Sequence, residues 1–329
     1  MILMNLLYSK KNNQEKNSMS TRNSAIDTEK VVYRMKEIIW LSLVWLILFS
    51  FDVEKVFAGN SEESKHLVLV AGSASHRVGE HEHRAGVLLM ERCLAGISGL
   101  EVSSHFDGWP TDNRAFENAD AIHLFMDGGQ RHPVIQEDRL QLMQRLIDRG
   151  VSFGAMHYAV EVPKDQGGVQ FMDWIGGYYE TYFSVNPFWV PHFDNLPNHP
   201  ILRGVEPFSV RDEWYFSIRF RKDEVGVTPL LVDAPSEEVR RGPYVHPPGP
   251  YDHIVEQKGK SEIVSWVVER KDGGRGFGFT GGHFHENWGD ENFRKYILNA
   301  LVWLAGMDVP VTGVQCEVTQ ADLEENLDE

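Results

Sequence analysis

The chain is poor in cysteine: Cys93 and Cys316 are the only two in 329 residues. So sparse a pair excludes a disulfide framework and a zinc-finger pattern. They read as two unrelated thiols, a single bridge in an oxidising compartment being the alternative. Positive charge is also in deficit, with a formal net charge of −16. A surface of that sign repels nucleic acid and anionic lipid, which excludes a polyanion partner. No glycine-rich stretch fits the full G-x-x-x-x-G-K-[ST] pattern, and Gly72-Ser-Ala-Ser lacks dinucleotide glycine spacing, so no nucleotide cofactor is expected.

Long apolar runs are equally scarce. Ile38–Phe51 has 14 residues interrupted by two serines, short of the ~20 a membrane span needs. Arg34 and Lys36 precede it, and Val56-Phe57-Ala58 follows. A basic flank, a short apolar core and a small-residue end are the parts of a secretory signal. Residues 1–58 are therefore read as a targeting segment and the protein as exported, periplasmic or extracellular. The alternative is anchoring by an uncleaved segment. Residues 59–306 form the expected domain and 307–329 an acidic tail, a surface wrap or partly unstructured.

What remains is ordinary globular composition, 42% hydrophobic and 24% charged. His66–Ala71 is a continuous apolar run of the kind buried on both faces of a parallel sheet. Helical periodicity covers Arg84–Ile97, strands are expected at Leu100–Phe106 and Ala121–Met126, a second helix at Gln136–Arg149 and a fourth strand at Val151–Met156. This order predicts an α/β fold with right-handed crossovers and a mainly parallel sheet. Residues 167–251 break the pattern with aromatics, Pro and Gly, and carry short strands such as Trp214–Phe220 and Pro229–Val232. Ile263–Glu269 and Gly276–Thr280 read as a hairpin, closed by a helix over Asn292–Leu304.

Ligands of open α/β sheets bind beyond the carboxyl ends of the strands, where the unusual residues of this chain fall. His76–His83 holds three histidines and two glutamates in eight residues. Imidazole and carboxylate are natural ligands of zinc or a similar divalent ion, and natural acids and bases near neutral pH. Here His81 and His83 are candidate ligands, although the glutamates also suit a helix start. Gly281-Gly282-His283-Phe284-His285 adds two more, since residues two apart share a side of an extended segment. Gly154-Ala-Met-His157 resembles a nucleophile elbow without Cys or Ser, which argues against an acyl-enzyme. His157, as acid/base or as a buried core residue, lies four before Glu161, and the two would share a face of a helical turn. Glu213 is the third candidate acid/base; the flanking Trp214 suits either a sugar ring or ordinary packing. Asp127, Tyr158, Trp109, Trp214 and Trp288 complete the expected substrate contacts, with Trp189 as a further wall of the cleft. His105, His123, His192, His199, His246 and His253 read as structural or surface residues.

Gly79–Gly86 (GEHEHRAG), Phe106–Pro110 (FDGWP), Met156–Glu161 (MHYAVE), Asp212–Tyr215 (DEWY), Gly281–Trp288 (GGHFHENW) and Asn299–Gly306 (NALVWLAG) together resemble ThuA-like proteins of the trehalose-utilisation type. The resemblance spans about Lys65 to Gly306. It implies a flavodoxin-like fold, related to class I glutamine amidotransferases but lacking their cysteine, with helices on both faces of the sheet. It also implies a link to carbohydrate catabolism, including oxidised (3-keto) disaccharides or glycosides. Two functions follow: hydrolysis or carbonyl-adjacent proton transfer on a sugar, with or without a divalent metal, and a saccharide-binding module of an exported complex without chemistry.

Overall fold

A computed structural model describes residues 64–328; the expected targeting segment, residues 1–58, lies outside the described residues. The first half alternates strand and helix: β1 (Lys65–Ala71), α1 (His83–Leu94), β2 (Leu100–His105), β3 (Ala121–Phe125), α2 (Arg139–Ile147) and β4 (Ser152–Met156). Helix α2 starts three residues later than its periodicity suggests. A turn at Pro133–Ile135 and a left-handed Glu137 (φ 54°) keep the preceding residues out of helical geometry.

The aromatic middle contributes α3 (Val169–Trp174) and four two-residue strands, β5 (Gly177–Tyr178), β6 (Phe188–Trp189), β7 (Asp212–Glu213) and β8 (Arg219–Phe220). They pair as β5 with β8 and β6 with β7. The expected strand Trp214–Phe220 is not continuous, because Ser217 takes φ 55° and turns the chain. Then come β9 (Val227–Asp233), α4 (Glu237–Arg241), α5 (Asp252–Val255), β10 (Glu262–Glu269), β11 (Arg275–Phe279), α6 (Glu291–Leu304) and α7 (Gln320–Leu323). The hairpin of β10 and β11 forms as read from the sequence.

Seven strands form one sheet in the order β2-β1-β3-β4-β11-β10-β9. The first five run parallel, and β10 is antiparallel to both its neighbours. Alternation along β1 sends Leu67, Leu69 and Ala71 into a core shared with α1 and α6, and Val68 and Val70 into a core shared with α2 and α3. Covering both faces this way is what a buried parallel sheet requires. Strand β2 lies on one side of β1 while β3 and β4 lie on the other, so the connections diverge at the β1–β3 boundary and open a crevice at the carboxyl edge. Among the described residues, no helix is long and apolar enough to cross a membrane.

The tail is ordered against the domain, and the two cysteines are not independent thiols: Cys93 on α1 and Cys316 form a disulfide. Residues 223 apart in sequence meet because the tail returns along α1, a proximity that spacing alone does not reveal. In the unfolded chain the bridge would close a very long loop, a constraint worth about 5 kcal/mol in the loop-entropy treatment. Reduction, or the double substitution Cys93→Ala/Cys316→Ala, is expected to lower the denaturant midpoint markedly. An unchanged midpoint would show that the bridge carries no stability.

Candidate functional site

Four strand ends and one insertion strand build the site. The loop after β1 carries His76 and His81, with His83 opening α1 behind it; the loop after β3 carries Asp127; the turn after β4 carries His157 and Glu161; the loop after β11 carries His283. Strand β7 supplies Glu213. His81 (φ 50°) and His157 (φ 55°) both hold left-handed backbone, costly for non-glycine residues and kept only where surrounding contacts over-determine it. Gly282 (φ 116°) lets the last loop pass close over Met156 and His157, where a Cβ would collide with the Met156 side chain.

Within this edge His81, His157, His283 and Glu213 converge, all buried, each offering one donor atom within 4.8 Å of the others. His81 Nε2 lies 3.0 Å from His157 Nε2 and 3.0 Å from His283 Nδ1. Glu213 Oε2 lies 2.7 Å from His283 Nδ1 and 3.7 Å from His157 Nε2. The outward nitrogens set the tautomers. His157 Nδ1 faces the Thr280 carbonyl at 2.9 Å and His81 Nδ1 faces the Asp127 carboxylate at 2.9 Å, both acceptors only. Both Nδ1 atoms therefore carry the proton, and both Nε2 atoms present lone pairs to each other across 3.0 Å. Tyr215 can donate its hydroxyl to His157 at 3.2 Å, and His283 can donate Nδ1–H to Glu213 or His81. Both inward lone pairs can thus find a donor, and four potential ligand atoms remain gathered around one point.

The same four atoms could instead hold a divalent cation. Bonds of ~2.0–2.1 Å to a tetrahedral ion separate its donors by roughly 3.3–3.4 Å, and the four contacts named above, 2.7–3.7 Å, bracket that separation. The outer partners are of the kind that orient metal-bound histidines, a carboxylate on one ring and a backbone carbonyl on another. Asn186 Nδ2 holds the other Glu213 oxygen at 2.7 Å. Asp212 accepts the amides of Gly282 (2.8 Å) and His283 (3.0 Å), tying the last loop to β7.

Burial and neighbouring charges shift these groups in different directions. Burial holds His81 down to about 4, against the hydrogen bond to Asp127, and holds His157 well below the ordinary imidazole value, helped by the neighbouring histidines. Burial of Asp127 is outweighed by the hydrogen bond from His81 and the nearby imidazoles, which bring it to about 2. At neutral pH His81 and His157 are neutral imidazoles, with an ionised Asp127 behind His81, whereas for His283 burial is outweighed by the hydrogen bond and charge of Glu213, which raise its imidazole above the ordinary value.

The remaining sequence candidates separate. His83 turns aside: its Nδ1 meets the Ser73 carbonyl at 3.2 Å, and its Nε2 lies 3.6 Å from Asp127. His285 does not share the side of His283, because the extended segment ends at Phe284 and a tight turn begins at His285. Both its ring nitrogens are buried without a partner. Trp214 is fully buried against Phe193, Phe279 and Phe293, and Trp288 is buried beside Gly86 and Phe293. Both are core residues rather than cleft walls. Trp189 is buried too, donating to the Trp214 carbonyl at 2.9 Å. Trp109 packs on Phe116 and under Arg139, outside the cleft lining.

The cleft itself is a cavity of about 770 Å³ beside the four-residue centre. Asp127, Arg131, Tyr158, Glu161, Thr181 and Tyr182 are among its lining residues, with the exposed Tyr182 presenting an aromatic ring. His246, read from sequence as structural or surface, also reaches it. His157 and Glu161 serve different parts of the site: His157 faces the imidazole centre, while Glu161 lines the cleft and accepts from Thr181 Oγ1 at 2.6 Å. Sequence reasoning missed Tyr215, Asn186, Thr181 and Tyr182. Tyr215 was within reach, because Glu213 and Tyr215 are two apart and so point the same way.

An open, mainly parallel α/β sheet with a histidine–carboxylate centre at its carboxyl edge defines the class. Residues 68–304 match the family model described as ThuA, trehalose utilisation, and the chain belongs to that family. Similar solved structures include a putative ThuA-like protein from Bacteroides uniformis, with 14% identity and a TM-score of 0.55, covering 74% of this chain and 93% of that one. Another, from Parabacteroides merdae, has 14% identity and a TM-score of 0.51, covering 78% and 93%. At that identity the likeness shows the fold, which is the flavodoxin-like arrangement expected from the sequence. The comparison with curated proteins gave no match.

Glu161 offers a test of the cleft. Burial, reinforced by the charge of Glu213 and opposed by the Thr181 hydrogen bond, pushes its carboxyl up from 4.5 to about 7. A raised carboxyl favours the folded state fully below its unfolded value, and that contribution is lost as pH rises toward the folded value. Glu161→Gln is therefore expected to gain stability relative to wild type from about pH 4.5 to 7, by up to about 3 kcal/mol, and to plateau above. Urea midpoints of both proteins at pH 5 and pH 8 check this; a pH-independent difference would place the carboxylate in solvent.

Proposed function

We propose that the protein is an exported, metal-assisted enzyme acting on a saccharide held in the cleft between Asp127 and Tyr182. The observation that carries this reading is the convergence of four buried ligand-type side chains, His81, His157, His283 and Glu213, each with one donor atom within 4.8 Å of the others. His81, His157, His283 and Glu213 would hold a zinc-like divalent ion, which moves His157 and Glu213 from acid–base duty to ligand duty. Such an ion supplies Lewis-acid polarisation of a substrate oxygen. The family's description, trehalose utilisation, supports a carbohydrate substrate.

The chain's own residues do the rest. Asp127 fixes the His81 ring through its Nδ1–H. Glu161 has a pKa of about 7, suited to taking or giving a proton near neutral pH. It lies in the cleft wall, where it can serve hydrolysis of a glycoside or proton transfer beside a sugar carbonyl. Tyr182 offers a ring face to a pyranose, and Ser73, Ser75, Gln130, Arg131 and Thr181 offer partners for hydroxyls. The Cys93–Cys316 disulfide supports export, since cytosolic thiols are kept reduced.

A second reading has its own support. Four protein donors with no ligand side chain more than 4% exposed is the pattern of a closed, structural ion. The cleft would then bind a saccharide without changing it.

Elemental analysis of protein purified without chelator tests the centre. About one equivalent of a divalent metal is expected, lost in His157→Ala and His283→Ala and kept in His83→Ala and His285→Ala. Asp127→Asn should weaken retention about 10- to 100-fold. A protein that takes up no divalent metal even after reloading would end the metal reading. Calorimetry against a saccharide panel, with product analysis, separates the enzyme from the binding module: binding weakened by Tyr182→Ala is common to both, and turnover lost in Glu161→Gln belongs to the first.

A further inference from the structure

Helix α1 begins at His83, two residues after His81, and the C-terminal tail runs along its length. At the far end of α1 stand the Cys93–Cys316 disulfide and an ion pair between Arg92 and Asp322 at 2.5 Å. Asp322 also closes the turn that starts α7, accepting from the Thr319 amide at 2.7 Å. Arg294 holds the Cys316 carbonyl at 3.0 Å, joining the same tail to α6. At the near end, Glu82 is buried, and its two carboxylate oxygens accept one bond from its own loop and one from the distant tail. Oε1 takes the Gly79 amide at 2.7 Å, inside the loop that carries His81, and Oε2 takes the Asp328 amide at 2.7 Å, at the end of the tail. One buried carboxylate thus links the ligand loop to a tail anchored by a covalent bond at the other end of the helix.

The loop needs such support. His81 sits at φ 50°, and its ring is useful only if Nε2 points inward. The amides of His81 and His285 tie one side of the loop to the last loop, at His283 and Gly79. Glu82 and the tail hold the other side. We infer that Glu82 is a positioning residue for His81, and that residues 316–328 are a disulfide-anchored strap that keeps the His76–His83 loop in its ligand-presenting form. The inference rests on the reading of His81 as a ligand, but the strap itself can be tested without metal.

Full-length wild type, Glu82→Gln, Asp322→Asn and Cys316→Ser are compared in two measurements at a temperature far below unfolding. Glu82→Gln replaces one acceptor with an N–H donor facing an amide, and Asp322→Asn is mild enough to keep the fold if a buried change does not. Hydrogen–deuterium exchange of the metal-free proteins is expected to speed up about tenfold in residues 76–83, with β3 and β4 unchanged. Zinc affinity, measured by competition with a chromophoric chelator, is expected to fall about tenfold, in the range of outer-sphere changes at metal sites. Unchanged exchange in residues 76–83 in all three variants overturns the strap. Faster exchange with unchanged zinc affinity overturns the positioning role, because a merely structural tail would loosen the loop without touching the ligand. If wild type binds no zinc, the metal reading fails on its own, and the exchange result alone upholds or overturns the strap.

Discussion

The site depends on two protons held away from it. Thr280 and Asp127 each take an Nδ1–H, one from His157 and one from His81, which leaves two neutral nitrogens aimed at one point in a buried space. Burial makes this arrangement demanding, since polar atoms crowded in a low-dielectric interior lose their hydration and depend on the few partners close by, Tyr215 and His283. Such a cluster persists when every surrounding element holds its member in place. The left-handed backbone at both histidines, the Asp212 carboxylate on the last loop and the Asn186 amide on Glu213 are those holds.

The division of labour follows from the topology. The parallel strands bring three histidines and Asp127 to one edge, because every β-to-α loop of such a sheet opens on the same side. The aromatic middle supplies what the sheet does not: Glu213 and Tyr215 from β7 and its continuation, and Thr181 and Tyr182 for the cleft wall. Its many buried rings extend the two cores of the sheet beneath these groups. That explains why Trp189 and Trp214 lie in packing rather than at the surface: a segment with little regular secondary structure buries large side chains to be stable at all.

Much of this was legible in the order of residues. Continuous apolar runs at His66–Ala71 and Ala121–Met126 identify strands covered on both faces, and the histidines stand at strand ends, where an α/β sheet places its ligands. His81, His157, His283 and Glu213 could each be singled out on residue type and position. Their selection from the larger set, however, turned on local backbone. His283 and His285 have ligand spacing, yet a turn starting at His285 separates them. His81 and His83 are equally near in sequence, yet His83 is already the first residue of α1 and faces Ser73.

The sequence by itself determined the sheet, its carboxyl edge and the chemical types gathered there, because hydrophobic period and strand-end position are local properties. Only the tertiary structure decided which nitrogens face one another, which tryptophans are core and that Cys93 meets Cys316. Those outcomes depend on contacts between segments as far as 246 residues apart, as Glu82 and Asp328 are, and no local pattern encodes a distance of that kind.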